Sequence, residues 1–192
     1  ISLETDDGQL TTGVMDAAGT FAYLGTWNGR VVQIDLNAFA RVAALQLMRG
    51  ENVPRSAVVD PAGDFAYFGT DTSPGIVVKV SLADPARVDA IVLAPGENQL
   101  ASAVIDRTGA FAYFGTGSGD PARVIKIDLA TFTRVGAVIL EPGERGLTSA
   151  AIDPAGAFAY FGTTTNPARI VKIDLGTFTR IEAISLAQGE NY

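Results

Sequence analysis

Hydrophobic and polar positions along this chain trace one pattern four times. The last copy shows it most plainly: "SAAID" (149–153), a turn at "PAG", then "AFAYFGT" (157–163), "RIVKIDL" (169–175) and "RIEAISL" (180–186). Each stretch is rich in β-branched or aromatic residues and is bounded by Gly, Pro, Asn or Thr, so each predicts a short strand. No segment sustains the 3.6-residue period of an amphipathic helix. In the turn, Pro presets the backbone and Gly accepts a positive φ. The "FAYF" run is apolar on both of its faces, which predicts a strand covered from both sides.

The aromatic run recurs at Phe21, Phe65, Phe111 and Phe158, at intervals of 44, 46 and 47 residues. "VIKIDLATFTRVGAVIL" (124–140) likewise returns as "IVKIDLGTFTRIEAISL" (170–186) and, more loosely, from Val31 and from Val77. A period of roughly 40 to 50 residues with four strands per unit predicts an all-β fold, a β-propeller of four tandem four-stranded blades. The units run over about 1–44, 45–90, 91–137 and 138–183, with 184–192 beginning a further one. Each buried aromatic should contribute about 1.5–3 kcal/mol, and blade-on-blade stacking should supply most of the stability. Ile1, Ser2 and Leu3 align with Ile91, Val92 and Leu93 and with Ile184, Ser185 and Leu186, so strand four occurs five times. A spare outer strand at the N-terminus is therefore expected. Three arrangements follow, four blades closing alone, half of an eight-bladed ring, or a segment of a longer array; a piece of a larger ring or assembly is the favoured expectation, because an unpaired outer edge invites another chain.

Composition narrows the chemistry. The 192 residues hold no Cys and no His, which removes disulfides, thiolate nucleophiles, imidazole bases and histidine-ligated metals. Lys and Arg number 14 against 21 Asp and Glu, a net charge of -7, so a phosphate backbone meets repulsion and no nucleic-acid partner is expected. At 47% hydrophobic residues the chain can build a core, yet no apolar run reaches the roughly 18 residues of a membrane span. The opening "ISLETDDGQL" lacks the layout of a signal peptide.

Asp7, Glu51, Glu97, Glu144 and Glu190 fall at one aligned position in the loop that enters strand one. Convergent at a channel mouth, they would suit Ca²⁺, which favours several oxygen ligands; otherwise each is held by a partner in its own blade, and no resident cofactor is expected. The latter is the favoured reading. Asp16, Asp60, Asp106 and Asp153 precede the Gly turn and should accept hydrogen bonds from turn amides. Lys79, Lys126 and Lys172, with Gln33 at the same place in the first unit, and Arg41, Arg87, Arg134 and Arg180 are expected to form inter-blade ion pairs and to protect edges. The loops between strands two and three vary most, which is where binding specificity is placed on a regular frame. Trp27, Asp71, Asp120 and Asn166 are the candidate binding residues there, and Thr163, Thr164 and Thr165 offer hydroxyls for O-linked sugar. No pair of acids is singled out among the four copies, and an active site normally breaks such symmetry.

The stretch "IDPAGAFAYFGTTTNPARIVKIDLGTFTRIEAISLAQGE" resembles the YVTN-family bacterial β-propeller repeat, which is NHL-like in layout, and the resemblance runs through all four units. The family's tetrapeptide corresponds to Tyr160, Phe161, Gly162 and Thr163. The resemblance implies an extracellular or cell-surface protein. The favoured expectation for function is a non-enzymatic structural or interaction module that assembles with like modules through its surplus outer strand. Glycan or small-ligand binding is the alternative, with a metal-dependent lactonase or lyase behind it.

Overall fold

The computed structural model describes residues 3–190, and over these the chain forms sixteen strands and no helix. Blade 1 holds β1 (Leu10–Met15), β2 (Phe21–Thr26), β3 (Arg30–Asp35) and β4 (Ala40–Gln46). Blade 2 holds β5 (Pro54–Val59), β6 (Phe65–Thr70), β7 (Ile76–Ser81) and β8 (Ala86–Val92). Blade 3 holds β9 (Leu100–Ile105), β10 (Phe111–Thr116), β11 (Arg123–Asp128) and β12 (Thr133–Ile139). Blade 4 holds β13 (Leu147–Ile152), β14 (Phe158–Thr163), β15 (Arg169–Asp174) and β16 (Thr179–Ser185). Each blade is an antiparallel meander in sequence order, the four-stranded leaf that the pattern predicts. Ile1 and Ser2 of the expected extra outer strand lie outside the described residues; Leu3 packs on Ala22, Val32 and Ile34 of blade 1.

Inner strands stand side by side in chain order, β1 against β5, β5 against β9 and β9 against β13. Broad faces meet between them in three apolar cores. Tyr23 and Val31 of blade 1 meet Phe68, Val78 and Val80 of blade 2. Tyr67 and Val77 meet Phe114, Ile125 and Ile127, and Tyr113 and Val124 meet Phe161, Val171 and Ile173. Leu47, Leu93 and Leu140, one residue beyond each outer strand, seal these cores. The aromatic run is thus the buried second strand of each blade, covered on both sides as its two apolar faces require. Ser56 and Ser102 stitch the inner edge, donating to the carbonyls of Leu100 and Leu147 in the following blade at 2.8 and 2.7 Å.

Every outer strand carries a bulge at the same place. Val42, Val88, Val135 and Ile181 are the extra residues, each skipped in the pairing with the third strand. They point outward, 47 to 55% exposed. A bulge blunts an edge as a template for another strand and re-aims its neighbours. Here the neighbours are the arginines.

Candidate functional site

The aligned acids are engaged one by one within their own blades. Asp7 accepts from Nε and Nη2 of Arg41 at 2.8 and 3.1 Å, Glu51 from those of Arg87 at 2.9 and 2.6 Å, and Glu144 from those of Arg180 at 2.8 and 2.6 Å. Glu97 holds Arg134 in the same fork. Each acid also caps its own loop, accepting from the amide of Glu4, Met48, Ala94 or Glu141 at 3.0 Å. The loop entering a blade is thereby tied to that blade's outer strand. All four carboxylates are buried. The hydrogen bonds from Arg41 hold Asp7 below the usual carboxylate range. For Glu144 burial acts upward, but Arg180 and the Glu141 amide outweigh it and the net shift is downward. Glu190 caps the Ala187 amide at 2.8 Å, is exposed, and has no arginine partner among the described residues. No group of three or more acids among the described residues is placed to hold a metal ion, so the structure does not gather these five at a channel mouth. Asp16, Asp60, Asp106 and Asp153 accept from turn amides as expected.

Lys79 and Lys126 depart from the expected ion pairs, whereas Lys172 reaches Glu182 of its own blade at 3.7 Å. Lys79 Nζ lies 3.9 Å from the centre of the Phe65 ring and 5.7 Å from that of Phe132 in the next blade. Lys126 repeats this, 3.9 Å from Phe111 and 5.5 Å from Phe178 in the next blade. Phe132 and Phe178 also pack on Tyr67 and Tyr113, with ring centres 5.9 Å apart. A cation over desolvated ring faces is stabilised by their quadrupoles, so the charge is satisfied without a carboxylate. Phe132 and Phe178 adopt φ of 48° and 51°, a left-handed backbone that costs an L-residue about 1–2 kcal/mol, offset here by this packing. Between blades 1 and 2 the arrangement changes. Pro85 takes the Phe position, Gln33 takes the Lys position, and Gln33 donates to the Tyr23 hydroxyl, which donates to the Leu82 carbonyl at 3.0 Å.

Of the candidate binding residues, Trp27 and Asp71 come together. With Gln9, Leu10, Thr11, Val53 and Arg55 they line an open groove of about 440 Å³ between blades 1 and 2. Trp27 is 57% exposed, and Arg55 Nη1 lies 3.2 Å from Asp71 Oδ2. Oδ1 of Asp71 is buried with no hydrogen-bond partner among the described residues. Asp120 lines a separate groove with Ser118, Arg145 and Thr164 and accepts from the Gly143 amide at 2.7 Å; Asn166 is exposed and lines neither. Arg55 went unsingled at the sequence level, although it breaks the repeat, standing where Thr11, Ala101 and Thr148 stand.

No known family profile matches the chain, and no curated protein matches it. Among solved structures it is similar to Kuenenia stuttgartiensis hydrazine synthase, with a TM-score of 0.85 and 16% identity, over 97% of this chain and 51% of that one. This chain therefore spans about half the length of that protein. At such identity the likeness shows the fold: this is a β-propeller. The fold recurs in 1357 solved chains and so names no activity. The propeller part of the expected resemblance stands; the YVTN-type placement has no support from these comparisons. Among the described residues no helix is long and apolar enough to cross a membrane.

Proposed function

We propose that this chain is a non-enzymatic interaction module of a cell-surface or secreted protein, a YVTN-type propeller whose business is to associate with like modules. One observation carries the reading: an apolar position of the third strand that the other three blades bury, and one of the outer strand that they half-bury, stand open at blade 4. Ile170 is 37% exposed where Val31, Val77 and Val124 are at most 1%, and Ile184 is 63% exposed. An uncovered apolar sheet face is a place of association. Against this, the acids available for chemistry repeat one structural contact in every blade and leave no asymmetric pair for acid and base work. Sedimentation and light scattering test the proposal. Association above the 20.0 kDa of one chain is expected, and a persistent monomer at about 100 µM would sink it.

A second reading is favoured by the Trp27 groove. An exposed indole in a groove that also presents the Arg55–Asp71 ion pair suits a polyhydroxylated ligand, the ring stacking on the sugar face and the ion pair meeting its hydroxyls. Glycan-array binding that disappears in Trp27→Ala supports it; an array with no hits removes it.

A further inference from the structure

We infer that the pocket between blades 3 and 4 is a binding site for a small organic carboxylate, its charged group taken by Lys126, Tyr113 and Arg107 and its apolar body resting on Phe111 and Leu175. The pocket has a volume of about 350 Å³, within the range that small molecules occupy, and Ala155, Gly156 and Gly176 form its side on blade 4. It shares no residue with the Trp27 groove.

Departures from the repeat meet around this pocket, and each adds positive charge, removes negative charge or makes room. Where the third strand pairs with the outer one, Lys79 lies opposite Asp89 and Lys172 opposite Glu182, but Lys126 lies opposite Gly136. Blade 3 keeps the lysine and drops its acid. Arg107 stands where Ala17, Pro61 and Pro154 stand in the other copies, and its Nη1 donates to the Pro154 carbonyl of blade 4 at 3.1 Å. Pro61 fills that place at the preceding boundary, its Cδ 2.6 Å from where a Cβ at Gly109 would lie; across blades 3 and 4 the equivalent approach, from Gly156 to Arg107 Cβ, is 3.9 Å. Gly176 stands where Asn37, Ala83 and Ala130 carry side chains.

Two donors on the lining have no acceptor. Tyr113 is 2% exposed, yet its hydroxyl makes no hydrogen bond among the described residues, whereas Tyr23 at the same place in blade 1 donates to the Leu82 carbonyl and accepts from Gln33. A polar group so deeply placed calls for a partner. The rings of Phe111 and Phe178 take up the charge of Lys126 but leave its three N–H donors free, and it makes no ion pair among the described residues. Asp128, two residues along, caps the Thr131 amide at 2.8 Å instead. Asp106, the one acid on the lining, is held by four donors of its own turn. In a chain of net charge -7 this pocket is left positive, so it asks for an anionic acceptor, and charge-assisted bonds from Lys126 and Arg107 would hold one. Its volume exceeds that of an inorganic oxyanion, and Phe111 and Leu175 give the remainder an apolar wall. Tyr67 of blade 2 also lacks a partner, but there Lys79 lies opposite Asp89 and Pro61 occupies the turn.

Calorimetric titration with benzoate tests this, beside benzyl alcohol, which lacks the charge, and inorganic phosphate, which lacks the apolar body. Saturable benzoate binding with a Kd of about 1 mM or tighter is expected, with the amides of Gly156 and Gly176 shifting in NMR spectra. The repeat itself supplies variants that fold, with circular dichroism as the check. Gly136→Glu restores the acid of the other lysine-bearing blades at a position whose nearest neighbour, Phe178, is 3.9 Å away, and Lys126→Gln installs the side chain of blade 1. Each should weaken benzoate at least about tenfold, while Lys79→Gln, at the equivalent place between blades 2 and 3, should leave it unchanged. Benzyl alcohol or phosphate binding as tightly as benzoate overturns the carboxylate assignment. An equal loss in Lys79→Gln, or full binding in Gly136→Glu, overturns the placement, and no saturable benzoate binding overturns the site.

Discussion

Replacing Glu144 by Gln isolates what the carboxylate–arginine clasp does for a blade. The side chain is 1% exposed and accepts two hydrogen bonds from Arg180, itself 22% exposed, and a third from the Glu141 amide. Gln keeps the shape and can still accept from the amide, but it loses the charge and turns an NH₂ toward the guanidinium. Charge-assisted bonds are worth about 1.5–3 kcal/mol each, and stranding one partner of a fully buried pair costs about 3–5 kcal/mol. Arg180 retains some water, so the expected loss is about 2–3 kcal/mol. The repeat supplies its own control. Glu190 occupies the aligned position, caps its loop through Ala187, is exposed and has no arginine among the described residues, so Glu190→Gln should stay within about 0.5 kcal/mol. Stacked blades open in parts, so a single global transition would blur the effect. Hydrogen exchange across β13 to β16 reads it directly, and blade 4 amides should exchange about 30- to 150-fold faster in Glu144→Gln. Equal effects in the two variants would refute the reasoning that the clasp, and not the loop cap alone, fixes the blade.

A Cβ at Gly115 would lie 2.5 Å from Ser102 Oγ and 2.8 Å from Leu147 Cβ, so Gly115→Ala should destabilise by about 1–3 kcal/mol in urea unfolding, while Gly136→Ala, whose nearest neighbour is Phe178 at 3.9 Å, should be neutral or better. Equal midpoints for the two would contradict the blade contact. Asp7 and Glu144 are held below their ordinary values of 3.8 and 4.5, so their contribution to stability is present above those values and is lost as pH falls through the lower folded ones; midpoints flat near neutrality and dropping below about pH 4.5 are expected, with a shallower drop in Glu144→Gln. Burial pushes the Tyr67 and Tyr113 hydroxyls up to about 12, with Asp60 and Asp106 adding to it. The unfolded chain releases those protons near pH 10 and the folded one does not, so stability should decline between about pH 10 and 12. Ultraviolet titration of the folded protein in which every tyrosine ionised near 10 would count against that burial.

Much of the fold was legible because its signals are local. Alternation, the Asp and Gly of each turn and the two-faced "FAYF" run all lie within one strand or one loop, and sixteen strands follow from them. Boundaries slipped where register does. The first strand of blade 4 reads as 149–153 but begins at Leu147, because the pairing shifts between Leu147 and Ser149. Partners were harder, being set by three-dimensional adjacency. Glu144 and Arg180 stand 36 residues apart, and nothing in either residue's neighbourhood says whether the acid meets an arginine or a metal. Trp27 and Asp71 occupy the same position in successive copies, so their meeting across a blade boundary was available from the period alone.

Repetition makes an architecture easy to read and a function hard, because each copy answers for all four. What remains informative is disagreement between copies. Gln33 with Pro85, against Lys79 with Phe132 and Lys126 with Phe178, is a covariation inside one chain: two positions in different blades change together because they touch. That converts a sequence difference into a contact rule between adjoining blades. Specificity between stacked repeats resides in such matched pairs, since the surrounding aliphatic packing accepts any blade and discriminates little.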